Sequence, residues 1–306
     1  MSKNVLCIGA LLLDELYFCD QAVQLHTSNP ARKSVSLGGV VANIAQYLAQ
    51  FAVDVSLLTA FGTDSEAAFV QEQLDTLHIL YAESISVQAN TGKYVSILNP
   101  DGSLQLAVCE DECTASITPD YLASKSAYLT QFDLWVIDTN LSLDSIKWCI
   151  DFCISQNKKI IIEPVSVPKA HKLATLALSG VFMITPNEEE LSAILGNSIA
   201  AFPSQLLDQG VQQIWLRKGG QGSEMHLSQR VTKLAAKKVA VTDTTGAGDA
   251  ALAAWIYGFL TNENSDHCMQ MGHALAAEVL QHKGAVIPGM TSEQLHQLTQ
   301  NSRYDS

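Results

Sequence analysis

The chain has 306 residues, of which 47% are hydrophobic and 16% are charged, and its formal net charge is −13. This composition supplies a sizeable core and excludes a surface for nucleic acid or an anionic membrane, because both need clustered Lys and Arg. Asp14 and Glu15 interrupt the first apolar run, so no signal peptide is predicted, and no segment has the length of a membrane span. Seven cysteines without paired CxxC spacing predict reduced thiols in a cytoplasmic protein rather than a zinc site.

Short apolar segments alternate with helical patterns along most of the chain. Alternation of this kind predicts βαβ units, in which a parallel sheet carries helices on both faces. We therefore expect a single α/β domain that spans residues 1–306. The strand-like segments are residues 4–8, 53–60, 134–137, 159–163, 181–185 and 213–217, and the helical ones are 41–51, 66–77, 142–156, 188–195, 204–209 and 250–260.

Two segments interrupt this alternation. Residues 16–37 are polar and turn-rich, and residues 91–111 contain a strand pair around the turn Asn99-Pro100-Asp101-Gly102. Strands inserted into an α/β domain commonly form a lid that excludes water from a reaction. A surface decoration is the alternative, and the pattern alone leaves both interpretations open.

Residues 241–250 read VTDTTGAGDA and carry the clearest functional pattern of the chain. Residues 243–245 are helix-capping types, while Gly246 and Gly248 let backbone N–H groups approach a ligand closely. An apolar helix follows, so the run predicts an anion site at a helix N-terminus. Asp249 would repel a resting phosphate there, and its carboxylate is better suited to take a proton from an attacking hydroxyl. A capped helix after a glycine turn is the alternative.

A second polar pattern lies near the N-terminus. Asp14 follows Gly9, which ends the first predicted strand, and open α/β sheets bind ligands just beyond such strand ends. Its carboxylate can accept two hydrogen bonds from a vicinal diol, although an ordinary loop acid is the simpler interpretation. Gly38 and Gly39 form a turn that permits close backbone approach, and Asn43 faces the same side one helical turn later.

Two further turns follow predicted strands. Asn187 is a good N-cap type, and Glu190 lies in the first turn of the helix that follows. Residues 218–222 read KGGQG, and their glycines allow a ligand to approach the backbone. Helix capping and a hairpin turn explain both segments without a ligand, and Lys218 either contacts a phosphate or is solvated.

Together these segments resemble the two signatures of the ribokinase (phosphofructokinase-B) family of sugar and nucleoside kinases, in the order that the family has them. The resemblance covers about residues 9–285 and implies a three-layer ribokinase-like α/β fold with a parallel-sheet core and a small β-strand lid. It also implies ATP as phosphoryl donor and Mg²⁺ as metal. The residues it implies are the base Asp249 with the amides of Gly246, Ala247 and Gly248, the sugar-binding Asp14, Gly39 and Asn43, the nucleotide-binding Asn187, Lys218, Gly220 and Gly222, and Glu190 at the magnesium ion.

Local features are similar to the branch of the family that phosphorylates pseudouridine, a C-linked uracil nucleoside. They are the SNPAR run of residues 28–32, Thr91, the DTN run of residues 138–140, and EPVSVPK at residues 163–169, in which Glu163 replaces the expected Asp. A uracil edge presents N–H groups and carbonyls that an amide, a hydroxyl and a lysine can recognise. The resemblance thus implies a nucleoside site made by Ser28, Asn29, Thr91, Asp111, Asn140 and Lys169.

The expected reaction is ATP-dependent phosphorylation of the 5′-hydroxyl of pseudouridine. A kinase for ribose or adenosine, or a non-catalytic nucleoside sensor on the same fold, are alternatives, and the intact Asp249 favours an enzyme. The glycine-rich residues 283–285 either line the nucleotide base pocket or form a loop for a monovalent cation such as K⁺. A lid strand can pair with a second copy, which leaves a homodimer open.

Overall fold

The computed structural model describes residues 4–196 and 202–301. Its strands fall into a main sheet of eight strands, a second sheet of four and a two-stranded pair. The strands are β1 (Asn4–Ile8), β2 (Leu12–Cys19), β3 (Ala31–Gly38), β4 (Asp54–Leu58), β5 (Ala60–Phe61), β6 (Ile85–Ser86), β7 (Lys93–Leu98), β8 (Leu104–Glu110), β9 (Leu134–Asp138), β10 (Lys159–Glu163), β11 (Met183–Ile184), β12 (Gln213–Arg217), β13 (Ser223–Leu227) and β14 (Arg230–Leu234).

Helices connect most of these strands, and three short 3₁₀ segments lie at Cys113–Ser116, His171–Thr175 and Gly219–Gln221. The predicted helices all appear within a few residues of their expected bounds. The α-helices are α1 (Val40–Gln50), α2 (Ser65–Thr76), α3 (Pro119–Ser124), α4 (Ser126–Leu129), α5 (Leu143–Ser155), α6 (Val167–Ala170), α7 (Glu188–Ile194), α8 (Pro203–Asp208), α9 (Ala247–Leu260), α10 (Ser265–Val279) and α11 (Ser292–Asn301).

The main sheet has the order β14-β13-β12-β11-β10-β9-β1-β4. Six neighbouring strands of this sheet are parallel, namely β4, β1, β9, β10, β11 and β12. The strands β13 and β14 complete the edge beside β12 as an antiparallel hairpin. Alternate residues of β1 enter two different cores: Val5 and Cys7 pack with α1 and α9, while Leu6 and Ile8 pack with α5 and α7. The predicted arrangement, a sheet between two helical layers, is therefore confirmed.

Helix α9 lies at the centre of one helical layer. Nearly all of its side chains are apolar and buried, which is the pattern of a helix enclosed on every side. It packs between α1 and α10, where Gly258 and Gly272 remove side chains that would collide with Met271 and Trp215. This packing fixes the position of the α9 N-terminus relative to the main sheet.

The second sheet has the order β3-β2-β7-β8 and is built by two separate stretches of chain. The expectation of a turn-rich segment at residues 16–37 holds for half of its length: residues 20–30 form a loop, whereas residues 16–19 belong to β2 and residues 31–37 to β3. Six of the eight residues of β3 are exposed, so this strand lacks the hydrophobic alternation by which sequence patterns reveal strands. The strand pair predicted around residues 99–102 is present as β7 and β8.

No helix within residues 4–196 and 202–301 is long and apolar enough to cross a membrane.

Candidate active site

Neighbouring parallel strands bring polar side chains to one edge of the main sheet. β9 ends at Asp138, β10 at Glu163 and β12 at Arg217, while Thr185 directly follows β11. The preceding residues of these strands are almost all buried and apolar, so the polarity begins where the strands end. Because ligands of open α/β sheets bind beyond the carboxyl ends of the strands, this edge is the candidate active site.

The N-terminus of α9 opens toward the same edge. Gly246 stands at the N-cap position in the left-handed conformation, with φ 74°, and no side chain caps the helix. A Cβ at Gly246 would clash with the backbone of Ala285, so glycine is required both for the conformation and for the space. The first-turn N–H groups of a helix have no partner within the helix, so those of Ala247 and Gly248 can hold an anion; the Ala247 N–H makes a long contact of 3.5 Å with the Thr244 carbonyl.

Residues 243–245 do not cap α9, contrary to their composition. One carboxylate oxygen of Asp243 accepts the N–H of Thr245 at 2.9 Å, and the other accepts the N–H of Gly284 at 3.0 Å. Asp243 thus ties the turn before α9 to the C-terminal loop. This arrangement leaves the helix N-terminus free of a competing side-chain acceptor.

Asp249 lies in the first turn of α9 and is half-buried. Its Oδ2 accepts a hydrogen bond from Asn43 Nδ2 at 2.8 Å. Burial raises the pKa of its carboxyl to about 7; the Asn43 hydrogen bond and the Arg217 guanidinium oppose the rise, and the carboxyls of Glu163 and Asp138 add to it. A carboxyl with a pKa near 7 is well matched to accept a proton at neutral pH.

Helix α1 joins the two halves of the site. Gly39 is its N-cap with φ 95°, and a Cβ there would clash with the backbone of Ala10. Asn43 projects from the next turn to Asp249, and one turn further the Tyr47 hydroxyl accepts the N–H of Ile287 at 2.9 Å. One face of α1 therefore positions both the carboxyl of Asp249 and the C-terminal loop beside the α9 N-terminus.

Two acids of the second sheet face the cleft. Asp14 lies within β2 rather than in the loop expected after the first strand, and its carboxyl packs directly on Gly38. Burial raises its pKa to about 6. Asp111 follows β8, where its Oδ1 accepts the Thr114 hydroxyl at 2.5 Å. Burial raises the pKa of Asp111, while the Thr114 hydrogen bonds and the ammonium of Lys169 oppose that rise.

Asn140 and Lys169 come together from different elements. The ammonium of Lys169 on α6 donates to Asn140 Oδ1, and the Asn140 N–H donates to Asp138 Oδ1 at 2.9 Å. Asp138 is fully buried, its pKa is raised to about 7 by burial, and its Oδ2 has no hydrogen-bond partner in the described parts of the chain. The sequence placed Asn140 and Lys169 in one predicted nucleoside site, but it did not show their direct contact or that Lys169 lies on a helix.

Thr91 has a different environment from the other predicted nucleoside-binding residues. It is fully buried, its N–H and hydroxyl donate to the two Asp64 carboxylate oxygens at 2.7 and 2.6 Å, and its Oγ1 accepts the N–H of Gly62 at 3.1 Å. These bonds hold the segment that leads into β7.

Ser28 and Asn29 lie on the loop between β2 and β3. Ser28 is exposed, and the Asn29 side chain closes its own loop by accepting the N–H of Gln24 at 2.8 Å and donating to the carbonyls of Gln24 and Thr27. Within the described residues, no hydrogen bond joins either side chain to the residues at the edge of the main sheet.

Asn187 and Glu190 form a reciprocal capping box at the start of α7. Asn187 Oδ1 accepts the N–H of Glu190 at 2.8 Å, and Glu190 Oε2 accepts the N–H of Asn187 at 2.9 Å. Glu190 is only 4% exposed, and burial together with the neighbouring carboxylate of Glu163 raises its pKa. No group of three or more His, Cys, Asp or Glu within residues 4–196 and 202–301 is arranged to hold a metal ion.

The glycine loop after β12, residues 218–222, is tightly packed at Gly222 and has free space at Gly220. Gly222, with φ 100°, packs so tightly on the backbone of β14 that a Cβ would clash, whereas a Cβ at Gly220 would meet only open space. The ammonium of Lys218 lies 3.3 Å from Glu224 and 3.6 Å from Glu188. The charge of Lys218 is therefore shared with two carboxylates in this structure.

The sequence analysis did not identify three residues of the site as interacting with one another: Glu163, Thr185 and Arg217. Glu163 is 3% exposed and accepts the Thr185 hydroxyl at 2.5 Å and Arg217 Nη2 at 2.6 Å. The available signal was a charged residue at the end of each of two apolar strands. A sequence cannot show that these strand ends lie close enough to form an ion pair.

Comparison with known proteins agrees with this geometry. Residues 2–292 match the family model described as pfkB family carbohydrate kinase. The chain therefore belongs to the pfkB family of carbohydrate kinases, and it is a sugar or nucleoside kinase that transfers a phosphoryl group to an alcohol acceptor.

Individual relatives are more distant. The pseudouridine kinase of Escherichia coli (strain K12) is 27% identical over 266 residues, which cover 83% of this chain and 84% of that protein. The ribokinase of Arabidopsis thaliana, solved with ribose and ATP, superposes with a TM-score of 0.81 at 18% identity and covers 98% of this chain and 99% of its own. An E. coli protein described as a putative ribokinase II, solved with ATP and Mg²⁺, gives a TM-score of 0.81 at 16% identity, covering 97% and 99%. These structures establish the ribokinase-like fold.

Proposed function

We propose that this kinase phosphorylates the 5′-hydroxyl of pseudouridine with ATP, giving pseudouridine 5′-phosphate and ADP. The observation that carries the kinase chemistry is the contact between Asn43 and Asp249 at the uncapped N-terminus of α9. It places a carboxyl with a pKa of about 7 beside backbone N–H groups that suit a phosphate. An acceptor hydroxyl at this point lies between a base and an anion site.

The proposed reaction is an in-line transfer. Asp249 takes the proton of the 5′-hydroxyl while that oxygen forms a bond to the γ-phosphorus. The bond from the γ-phosphorus to the bridging oxygen breaks, and its electron pair stays with ADP. The N–H groups of Gly246, Ala247 and Gly248 stabilise charge on the phosphoryl oxygens. Asn43 keeps the carboxylate oriented by its hydrogen bond.

The acceptor end of the cleft supports a nucleoside. We propose that Asp14, Gly39 and Asn43 bind the ribose hydroxyls; Asp14 belongs to the second sheet, and its carboxyl packs on Gly38 next to Gly39. We assign the uracil edge to Asn140 and Lys169, which offer an amide and an ammonium close together. The remaining predicted residues support this end of the cleft through the second sheet and its loops; they are Ser28, Asn29, Thr91 and Asp111.

At the nucleotide end we propose that Asn187, Lys218, Gly220 and Gly222 border the phosphates and ribose of ATP. Glu190 fits a role toward Mg²⁺ because its carboxylate is buried and one oxygen accepts the Asn187 N–H, while no residue in the described part of the chain donates a hydrogen bond to the other oxygen. A single carboxylate suits Mg²⁺, which usually retains waters and phosphate oxygens as its other ligands. Bound there, the ion would offset the negative charge of the phosphates.

We further propose that the second sheet is a lid and that its outer face joins a second copy. Leu104, Leu106 and Val108 are each more than half exposed and alternate along the edge strand β8, and Val35 is exposed on β3. An apolar edge strand of this kind needs a partner to avoid uncontrolled association. Size-exclusion chromatography with light scattering should give a dimer, and Leu106→Lys should shift it to a monomer.

The substrate assignment is tested by ADP release with Mg-ATP and equal concentrations of pseudouridine, uridine, adenosine or ribose. We expect pseudouridine to be preferred, and Lys169→Met to reduce that preference about tenfold or more, because an unpaired uracil carbonyl is costly. Lys147→Met is the control, since Lys147 forms an ion pair with Asp151 on the surface. A preference for ribose or adenosine would leave the kinase intact and reject the substrate.

The same assay with Na⁺ in place of K⁺ tests the monovalent-cation proposal for the loop at residues 283–285, which contacts Asp243 through the Gly284 N–H. A higher rate in K⁺ supports it, and equal rates reject it.

A further inference from the structure

Arg217 ends β12 with its guanidinium at the edge of the candidate active site. Its Nη2 donates to Glu163 Oε1 at 2.6 Å and also to the carbonyl of Thr185. These two bonds consume both N–H groups of Nη2 and fix the plane of the guanidinium. The side chain remains 19% exposed.

The other guanidinium nitrogen faces the start of α9. A Cβ built on Gly248 would lie 2.6 Å from Arg217 Nη1, so only glycine lets the guanidinium lie against the first turn. Neither Nη1 nor Nε donates a hydrogen bond to any residue in the ranges 4–196 and 202–301. An anion bound by the first-turn amides of α9 would therefore lie near N–H groups of Arg217 that can donate hydrogen bonds to it.

The charges around Arg217 point the same way. Burial lowers the pKa of its guanidinium, but the carboxylates of Glu163, Glu190 and Asp249 outweigh that effect and raise it. One cation thus lies among three acidic side chains, in a region that must receive the triphosphate of ATP. Without Arg217 the phosphates would approach these carboxylates with only the first-turn N–H groups and the proposed Mg²⁺ and Lys218 to offset the repulsion.

A structural ion pair alone does not require this arrangement. The pair with Glu163 uses Nη2 only, whereas the open Nη1 is directed at the turn where the phosphoryl group is expected. The neighbouring Lys218 differs, because its ammonium lies near Glu224 and Glu188. We propose that Arg217 is a catalytic residue whose Nη1 donates to an oxygen of the transferring γ-phosphoryl group. This inference rests on the proposed function, because it needs ATP phosphates at the α9 N-terminus.

In the transfer step the acceptor oxygen bonds to the γ-phosphorus, the bond to the bridging oxygen breaks with its electron pair left on ADP, and the proton goes to Asp249. Negative charge on the γ-phosphoryl oxygens is then shared by the first-turn amides and Arg217 Nη1. A donor aimed at such charge typically contributes about 10²- to 10³-fold to the rate. Glu163 and Thr185 act as positioning residues, since they hold the guanidinium and do not contact the phosphoryl group.

The test is nucleotide binding without an acceptor, which makes it independent of the substrate assignment. Calorimetry compares Mg-ADP with the Mg complex of the β,γ-imido analogue of ATP, for the unmodified protein, Arg217→Met and Arg217→Lys. We expect Arg217→Met to weaken analogue binding about tenfold and ADP binding about twofold or less, because only the analogue has a γ-phosphoryl group. Arg217→Lys keeps the charge, so its affinity for the analogue should lie between those of the unmodified protein and Arg217→Met.

Two controls separate phosphate contact from folding. Arg230→Met removes an arginine ion pair with Asp266 far from the cleft, and it should leave both affinities unchanged. Glu163→Gln breaks the pair with Arg217 but keeps its other anchor at Thr185, so the preference for the analogue should largely persist. If Arg217→Met does not fold, Arg217→Lys carries the comparison, with thermal unfolding measured alongside.

Equal weakening of ADP and analogue binding in both Arg217 variants would overturn the inference and leave a structural ion pair. A Glu163→Gln variant that matches Arg217→Met in both affinities would do the same. If the unmodified protein binds neither nucleotide, the proposed function fails and this inference fails with it. Turnover gives an independent readout: 10 mM guanidinium should partly restore the rate of Arg217→Ala and have no effect on Arg230→Ala.

Discussion

At the residue scale, the site contains carboxyl groups whose pKa values are raised by burial toward neutral pH. The pKa values of Asp249 and Asp138 are raised to about 7, and that of Asp14 to about 6. Amide or cationic donors partly oppose the effect of burial at two of them, Asn43 at Asp249 and Asn140 with Lys169 at Asp138. A cleft prepared for phosphates and hydroxyls therefore carries less negative charge at neutral pH than its composition suggests.

Replacing Asp249 with Asn should reduce kcat about 10²-fold or more, because the variant keeps the hydrogen bond with Asn43 but has no base. The KM of the acceptor should change little, which steady-state assays of ADP release will show. Asp120→Asn, an exposed acid in the first turn of α3, is the control and should be fully active. An Asp249→Asn variant with the rate of the unmodified protein would remove Asp249 as the base.

The rate should depend on pH through the same carboxyl. Because the pKa of Asp249 is raised to about 7, the base becomes protonated as the pH falls below that value. We expect kcat/KM to fall about tenfold per pH unit below pH 6 and to level off above pH 8. Glu163, Arg217, Asp138 and Asn43 all face this carboxyl, so Glu163→Gln, which removes a neighbouring negative charge, should move the midpoint to lower pH. A midpoint near 4 in the unmodified protein would contradict this account.

At the element scale, the start of α9 combines backbone conformation with tight packing. Gly246 has φ 74° and lies against Ala285, which itself belongs to the loop held by Tyr47 and Asp243. The helix is anchored at its other end by burial among α1 and α10. The anion site therefore cannot shift without moving either a rigid helix or the C-terminal loop.

Gly246→Ala should cost about 1–3 kcal/mol of stability and most of the activity, because it adds both backbone strain and a clash with Ala285. Gly102→Ala is a matched control: Gly102 has φ 84°, but a Cβ there meets nothing within 4 Å. The control should cost about 1 kcal/mol and keep its activity. Chemical denaturation and ADP release measure the two effects. Equal losses of activity in both variants would show that the clash has no functional consequence.

At the scale of the whole molecule, the active-site carboxyls link stability to pH. A carboxyl whose pKa is raised on folding binds more protons in the folded state, so its contribution to stability is present at low pH and lost as the pH rises through the raised value. Asp14, Asp138 and Asp249 act in this direction between about pH 4 and pH 8. Ionisation of these three buried carboxyls therefore lowers the free energy of unfolding of the ligand-free protein at neutral pH.

Asp249→Asn should therefore be more stable than the unmodified protein at pH 8, and this difference should shrink toward pH 5. Thermal unfolding at both pH values measures it, with a gain of a few degrees expected at pH 8 for about 1 kcal/mol. The pKa of His273 is lowered by burial and gives the opposite slope, but it does so in both proteins and cancels in the difference. A variant less stable at pH 8 than at pH 5, relative to the unmodified protein, would contradict the linkage.

The sequence allowed most of the main fold to be predicted, because buried parallel strands are continuously apolar and their helices follow at regular intervals. β12 was predicted with the same bounds that the structure has. The strands β2 and β3 were not predicted, since β2 is mostly half-buried, β3 is mostly exposed, and neither has a regular alternation of apolar and polar residues. Asp14 was consequently expected in a loop of the main sheet and instead reaches the cleft from the second sheet.

Local motifs by themselves determined the chemistry to be expected: Gly246, Gly248 and Asp249 lie within a few residues, and their spacing alone sets an amide site beside a carboxylate. Only the tertiary structure decided the partners of these groups. The contact of Asn43 with Asp249 spans 206 residues, and that of Arg217 with Glu163 spans 54. Such contacts depend on which strand ends become neighbours in the sheet. The raised pKa of Asp249 depends on burial by distant parts of the chain. Neither is a property of any short segment.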